Sequence, residues 1–263
     1  AAGGRPFMGS CDGLWKEMRL LGTKRAQIAF DWYGSRYGVE NVRGKRVWTS
    51  VEARIIEAEK AGMKIKANLN VYSAPPWFFS GDEKTISTRV LAEQYHAEWL
   101  DFVRDFVTRY GSRIDEIEFG GEDNGRLGTS SFYKKLYPEG IERDAGGQQW
   151  LVRGSAFDDL MKLECSSCLL VKQLAPCIRT SVLRPSQGLP GDHWLFVRRS
   201  LERIGKCFTS FGVDTYGSIP YYYGPAISGS RQGTTDDRFH TRKLISEWLK
   251  ELGHDQEVFI SES

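Results

Sequence analysis

Lys64-Ile65-Lys66-Ala67-Asn68-Leu69-Asn70-Val71-Tyr72 alternates polar and apolar side chains, residue by residue, as far as Val71. A period of two marks a strand with two unlike faces. Ile65, Ala67, Leu69 and Val71 form one face, and Lys66, Asn68 and Asn70 the other. Further on, Glu116 and Glu118 alternate with Ile117 and Phe119 in the same way. A strand of an open, doubly wound sheet is covered by helices on both faces and reads as a continuous apolar run. A polar side that recurs from strand to strand suits a closed barrel whose interior rises into a site.

Outward from that run, strand-like segments and helical periodicity take turns along the chain. Strands are read at residues 6–10, 25–32, 64–72, 114–122, 177–183, 208–216 and 257–261. Helical patterns fall at 12–22, 49–63, 90–111, 157–174, 193–205 and 236–253. Strand–helix alternation of this kind builds a parallel sheet covered by helices. The expectation is an α/β protein: a (β/α)8 TIM-type barrel filling residues 1–263 as one domain, with the eighth strand lacking. Residues 124–156, rich in glycine and polar side chains, read as an inserted loop after the fourth strand.

Composition narrows the function classes. The 36 Lys and Arg nearly balance the 34 Asp and Glu, a net charge of +2, so no field marks a nucleic-acid or anionic-membrane partner. The apolar runs fall short of the ~18–20 residues of a membrane span. Aromatic residues reach 13%, enough to fill a core or line a cleft that stacks on flat ligands. The five cysteines are too sparse for a disulfide scaffold. Cys165 and Cys168 form a CxxC on a helix, read as packing or a disulfide. A zinc or redox site drawn from these two with Cys177 and Cys207 is the weaker reading. His96, His193, His240 and His254 lie in or near helices and are expected at the surface or in caps.

In a barrel the chemistry sits where strands end. The fourth strand runs out through Glu118-Phe119-Gly120-Gly121-Glu122-Asp123, and the seventh through Ile260-Ser261-Glu262. Carboxylates at those two mouths face each other across a barrel. Retaining glycoside hydrolysis needs such a pair, one acid to protonate the leaving oxygen and one carboxylate to attack the anomeric carbon. Glu118 is expected beneath the site, holding neighbours through hydrogen bonds.

These elements resemble glycoside hydrolase clan A, the (β/α)8 retaining glycosidases, over nearly the whole chain. Glu118 to Asp123 are similar to the clan's Glu-Ile-Trp-Asn-Glu-Pro, and Ile260-Ser261-Glu262 to its Ile-Thr-Glu. Ala74-Pro75-Pro76-Trp77 is similar to a segment of family 39, and Asp214-Thr215-Tyr216 to the clan's His-Tyr position. The resemblance implies Glu122 as acid/base, Glu262 as nucleophile and Tyr216 as the residue orienting that nucleophile. It implies an oligo- or polysaccharide substrate, no metal or organic cofactor, and a secreted or extracellular setting, although no signal peptide is legible. Two positions depart from the clan: Gly121 stands where Asn binds the sugar 2-hydroxyl, and Gln27 where the clan often has Arg. Both favour the alternative, an inactive carbohydrate-binding protein on the same scaffold. Trp77, Trp32 and Tyr72 are the candidate stacking residues, and Asn68, Asn70, Gln27 and Asp214 the candidate hydrogen-bonding ones.

Overall fold

The computed structural model describes residues 15–20, 24–34, 38–79, 90–121, 123–144, 147–182, 194–214, 245–254 and 256–262. The strand expected at 6–10 lies outside them. In chain order the helices are α1 (Trp15–Leu20), α2 (Thr49–Lys60), α3 (His96–Tyr110), α4 (Ser131–Leu136), α5 (Ser155–Leu174) and α6 (Trp194–Ile204). The strands are β1 (Arg25–Asp31), β2 (Lys64–Asn70), β3 (Glu116–Phe119), β4 (Ile141–Arg143), β5 (Gln149–Leu151), β6 (Arg179–Val182), β7 (Ser210–Asp214) and β8 (Glu257–Glu262). Residues 245–251 form a further helical run before β8.

Among the described residues, six strands make one sheet in the order β1-β2-β3-β6-β7-β8, and every neighbouring pair is parallel. A doubly wound sheet reverses its strand order at a switch point. Here each strand lies beside its predecessor without reversal, which is the progression of a barrel wall.

The two faces separate as the alternation requires. Ile28, Phe30, Ile65, Ala67, Leu69, Ile117 and Phe119 are buried on the helix side. Helix α3 meets that side with Trp99, Phe102, Val103, Phe106, Val107 and Tyr110, a stripe at intervals of three and one. Phe106 packs on Phe30 with ring centroids 5.2 Å apart. Gly111 takes over where the helix ends.

The other face carries charge. Glu116 and Glu118 are both fully buried, beside a buried Lys66. Lys66 Nζ lies 2.6 Å from Glu118 and 4.0 Å from Glu116, while Arg25 reaches Glu116 at 3.1 Å. Ser181, in register with Glu118, donates to Glu116 at 3.3 Å. Buried carboxylates persist only when paired and hydrogen-bonded, and these side chains supply both.

The stretch after β3 is not a loop. It holds a π-helical turn at Asn124–Gly128, helix α4, a 3-10 turn at Pro138–Gly140 and the antiparallel hairpin β4–β5. Leu127, Tyr133, Trp150 and Leu151 are buried, and the Trp150 indole donates to Asp144 at 2.7 Å. Elements three to six residues long give hydrophobic periodicity too few repeats to register.

The CxxC is divided between two roles. Cys165 is disulfide-bonded to Cys207, 42 residues on. Cys168 is buried against Thr180 of β6, and burial drives its thiol pKa far up. With Cys165 bonded to Cys207 and Cys168 a free thiol, the two share neither a bridge nor a zinc pair. Among the described residues no group of three or more His, Cys, Asp or Glu is placed to hold a metal. No described helix is long and apolar enough to cross a membrane.

Candidate active site

Because the sheet is all parallel, Asp31, Asn70, Phe119, Val182, Asp214 and Glu262 end their strands on one rim. The exits of β1 and β2 are tied together there. Asp31 is in register with Asn70, and Ser73 Oγ accepts the Trp32 backbone N–H at 2.8 Å.

Asn70 Oδ1 accepts the Tyr72 N–H at 2.9 Å, capping the 3-10 turn at Val71–Ser73. That turn sends the Tyr72 ring inward, where it is buried and its hydroxyl donates to Asp123 Oδ1. Burial, then the Asp123 charge, push the Tyr72 pKa well above that of an ordinary phenol. The Arg126 guanidinium lies over the Tyr72 ring, 5.1 Å from its centroid.

Asn68, two residues earlier, donates at 3.2 Å both to Glu118 and to the Gly120 carbonyl. Gly120 has φ +80°, in the left-handed region that favours glycine. A Cβ there would collide with Asp123 Oδ2 and Glu164 Oε1, so two buried carboxylates close on this one residue. The Gly121 N–H donates to Asp123 Oδ2 at 3.3 Å. The backbone on either side of position 122 is thus fixed by Asn68, Tyr72 and Asp123.

Glu122 and Tyr216 lie outside the described residues. Glu262 is the last residue of β8, and the β7–β8 register shifts by one between Val213 and Asp214. That shift makes Glu262, instead of Ser261, the partner of Asp214.

Several expected contacts are relocated. Trp32 does not face a cleft: it is 1% exposed, packed on Phe78, Trp99 and Phe102, with its indole donating to Glu40 at 3.0 Å. Tryptophan carries a large apolar area, and a core position with a buried acceptor uses all of it. Asn68, Asn70 and Tyr72 hold the rim's own backbone. Gln27 is in register with Lys66, well below the rim pair Asp31 and Asn70. Trp77 remains half-exposed, edge-on to Tyr33 at 5.5 Å. His96 is buried and not at the surface, its Nε2 being 3.1 Å from the Leu91 carbonyl oxygen. Sequence reasoning missed Asp123 and Glu164. The signal for Glu164 was available: it sits at helical spacing among Leu160, Leu163, Ser167 and Cys168, all buried.

No protein-family model and no curated protein matches the chain. Solved structures match it in shape. A β-glucosidase from Exiguobacterium marinum superposes with a TM-score of 0.59 at 12% identity, covering 94% of this chain and 65% of that one. The glycoside hydrolase family 1 β-glucosidase from Exiguobacterium antarcticum B7 gives the same values. A psychrophilic family 10 endo-β-1,4-xylanase gives 0.54 at 12% identity, covering 90% of this chain and 65% of that one. The chain therefore spans 65% of the length of these structures. The E. antarcticum enzyme is of family 1 and the xylanase of family 10, and nothing in them supports the nearer resemblance to family 39. At such identity the likeness is one of fold: the chain is an α/β protein whose sheet is part of a (β/α)8 barrel, the architecture of these glycoside hydrolases.

Proposed function

We propose that the chain is the barrel of a retaining glycoside hydrolase acting on a β-linked glycoside or polysaccharide. Glu262 attacks the anomeric carbon while Glu122 protonates the leaving oxygen. Glu122 then takes a proton from water, which releases the sugar from Glu262 with net retention. Tyr216 orients Glu262.

One observation carries the reading: β3 and β8 are parallel members of a sequentially ordered sheet, so the exit of β3, which leads through Gly120 and Gly121 to position 122, and the Glu262 end of β8 lie on one rim. The fixed backbone of Gly120 and Gly121 supports it, because an acid/base must be held in place through both steps. The Cys165–Cys207 disulfide supports an oxidising, extracellular setting.

The test is replacement of each carboxylate with azide as an external nucleophile, on an activated aryl β-glycoside the parent cleaves. Glu262→Gly with azide yields the α-glycosyl azide, and Glu122→Gly with azide yields the β-anomer. The proposal falls if Glu122→Gln and Glu262→Gln both keep full activity. Gly121 favours a second reading, a glycan-binding barrel without turnover, since no side chain at 121 can reach the sugar 2-hydroxyl. That reading requires glycan affinity with no reducing ends released.

A further inference from the structure

Beside the rim lies a groove of about 320 Å³, between the turn that follows β2 and the inserted helix α4. Trp77, Tyr95, Phe132 and Tyr137 wall it, with Gln94 and Asp159 among them. Its place follows from topology. Barrel helices return antiparallel to the strands, so the starts of α3 and α5, which bring Tyr95 and Asp159, stand on the same side as the strand ends.

The chemistry of the walls is mixed. The Trp77 indole N–H is buried and has no acceptor among the described residues. Asp159 is partly withdrawn from water, which raises its pKa. An apolar helix or acyl chain laid on these walls would leave the indole N–H and the Gln94 amide without hydrogen bonds, and would take the Asp159 carboxylate, which already accepts from the Glu93 backbone, further from water, at a cost in free energy. A pyranose ring meets both demands: its C–H faces stack on aromatic rings, and its hydroxyls accept from N–H groups and donate to a carboxylate. The volume falls at the small end of ligand pockets, the size of one or two sugar rings.

We propose that this groove is a glycan-binding subsite, holding one or two pyranose rings of a longer chain away from the bond that is cleaved. The sugar class rests on the glycosidase reading, whereas the groove as a polar-aromatic binding site does not. The test is affinity electrophoresis of the intact chain through gels containing soluble xylan, β-glucan or glucomannan. Tyr137→Ala and Gln94→Ala are run alongside, and circular dichroism verifies that each variant is folded. Separately, the parent is assayed for cleavage of an aryl β-glycoside bearing one sugar. The expected result is retardation of the parent in at least one gel, weakened about tenfold in Tyr137→Ala, a loss typical of one aromatic contact. Absence of retardation in all three gels overturns the subsite, and so does retardation unchanged in both folded variants. Retardation lost in the variants, with no aryl glycoside cleaved by the parent, upholds the groove and counts against the glycosidase reading.

Discussion

Removing the Cys165–Cys207 bridge isolates one contribution to stability. The bond ties the middle of α5 to the turn after α6 and closes a loop of 42 residues. Loop-closure entropy for that length corresponds to about 4 kcal/mol of stabilisation at 25 °C, nearly all exerted on the unfolded chain. The folded state has little to lose, because α5 and α6 already pack together, Phe157 edge-on to Phe196 at 5.6 Å. Both cysteines are only partly buried, so Cys165→Ala with Cys207→Ala leaves no large cavity. The double variant is therefore expected to fold and to lose about 3–4 kcal/mol. For a chain of this size that lowers Tm by roughly 5–8 °C. Urea denaturation followed by tryptophan fluorescence measures the loss, and the titrations of parent and variant are then repeated with reductant. Reductant should bring the parent down to the variant and leave the variant unmoved. A double variant within about 1 kcal/mol of the parent would refute the loop-entropy argument, and equal sensitivity of both proteins to reductant would refute the bridge.

Lys66→Met takes away the ammonium 2.6 Å from buried Glu118 and 4.0 Å from buried Glu116, leaving Arg25 on Glu116. The expected cost is about 3–5 kcal/mol by urea titration at neutral pH. Tyr72→Phe removes the hydroxyl that donates to buried Asp123 and should cost about 1.5–3 kcal/mol in the same assay. Gly120→Ala places a Cβ at φ +80° against Asp123 and Glu164, so it should cost more than the ~1–2 kcal/mol of the left-handed backbone alone. Burial holds the His96 pKa below its ordinary value. The unfolded chain then takes up the His96 proton first as the pH falls. This contribution to stability is present above about pH 6.5 and declines below it. A His96→Gln variant compared with the parent at pH 8 and pH 5 should show a smaller drop.

What the sequence disclosed depends on how long each pattern runs. The alternation over Ile65–Asn70 and the six-position stripe of α3 repeat often enough to be read, and both elements stand where expected. The same alternation placed Lys66, Asn68, Glu116 and Glu118 on one face, and the structure joins them in a single network. Alternation says which face a side chain takes, but not how high it sits or what it touches. So Asn70 and Tyr72, read as sugar contacts, hold the turn after β2 and the Asp123 carboxylate. Trp32 was misread because an aromatic residue at a strand exit looks the same whether it faces a ligand or the ring system of Phe78, Trp99 and Phe102. The partner of Cys165 was equally hidden, since it lies 42 residues away and the nearer Cys168 made a familiar motif.

The register shift in β8 shows why strand parity alone could not position Glu262. Ser210 pairs with Glu257, Phe211 with Val258, Gly212 with Phe259 and Val213 with Ile260. Continued without interruption, that count would pair Asp214 with Ser261. Phe211 and Val258 are both buried in the core, so strict alternation would assign Glu262 to the row of Val258 and Ile260. The shift instead brings Glu262 into register with Asp214. Bulges of this kind concentrate at barrel rims, where one inserted residue changes which row continues to the mouth. Deleting Ser261 would restore the unbroken count and leave Glu262 the partner of Asp214, with the strand one residue shorter at its end. The bulge is thus separable from the pairing. If the glycosidase reading holds and the extra residue is what sets the reach of Glu262, the deletion should cost kcat on an aryl β-glycoside while the urea midpoint stays close to that of the parent. Equal kcat in the two proteins would show that the Asp214–Glu262 register is sufficient.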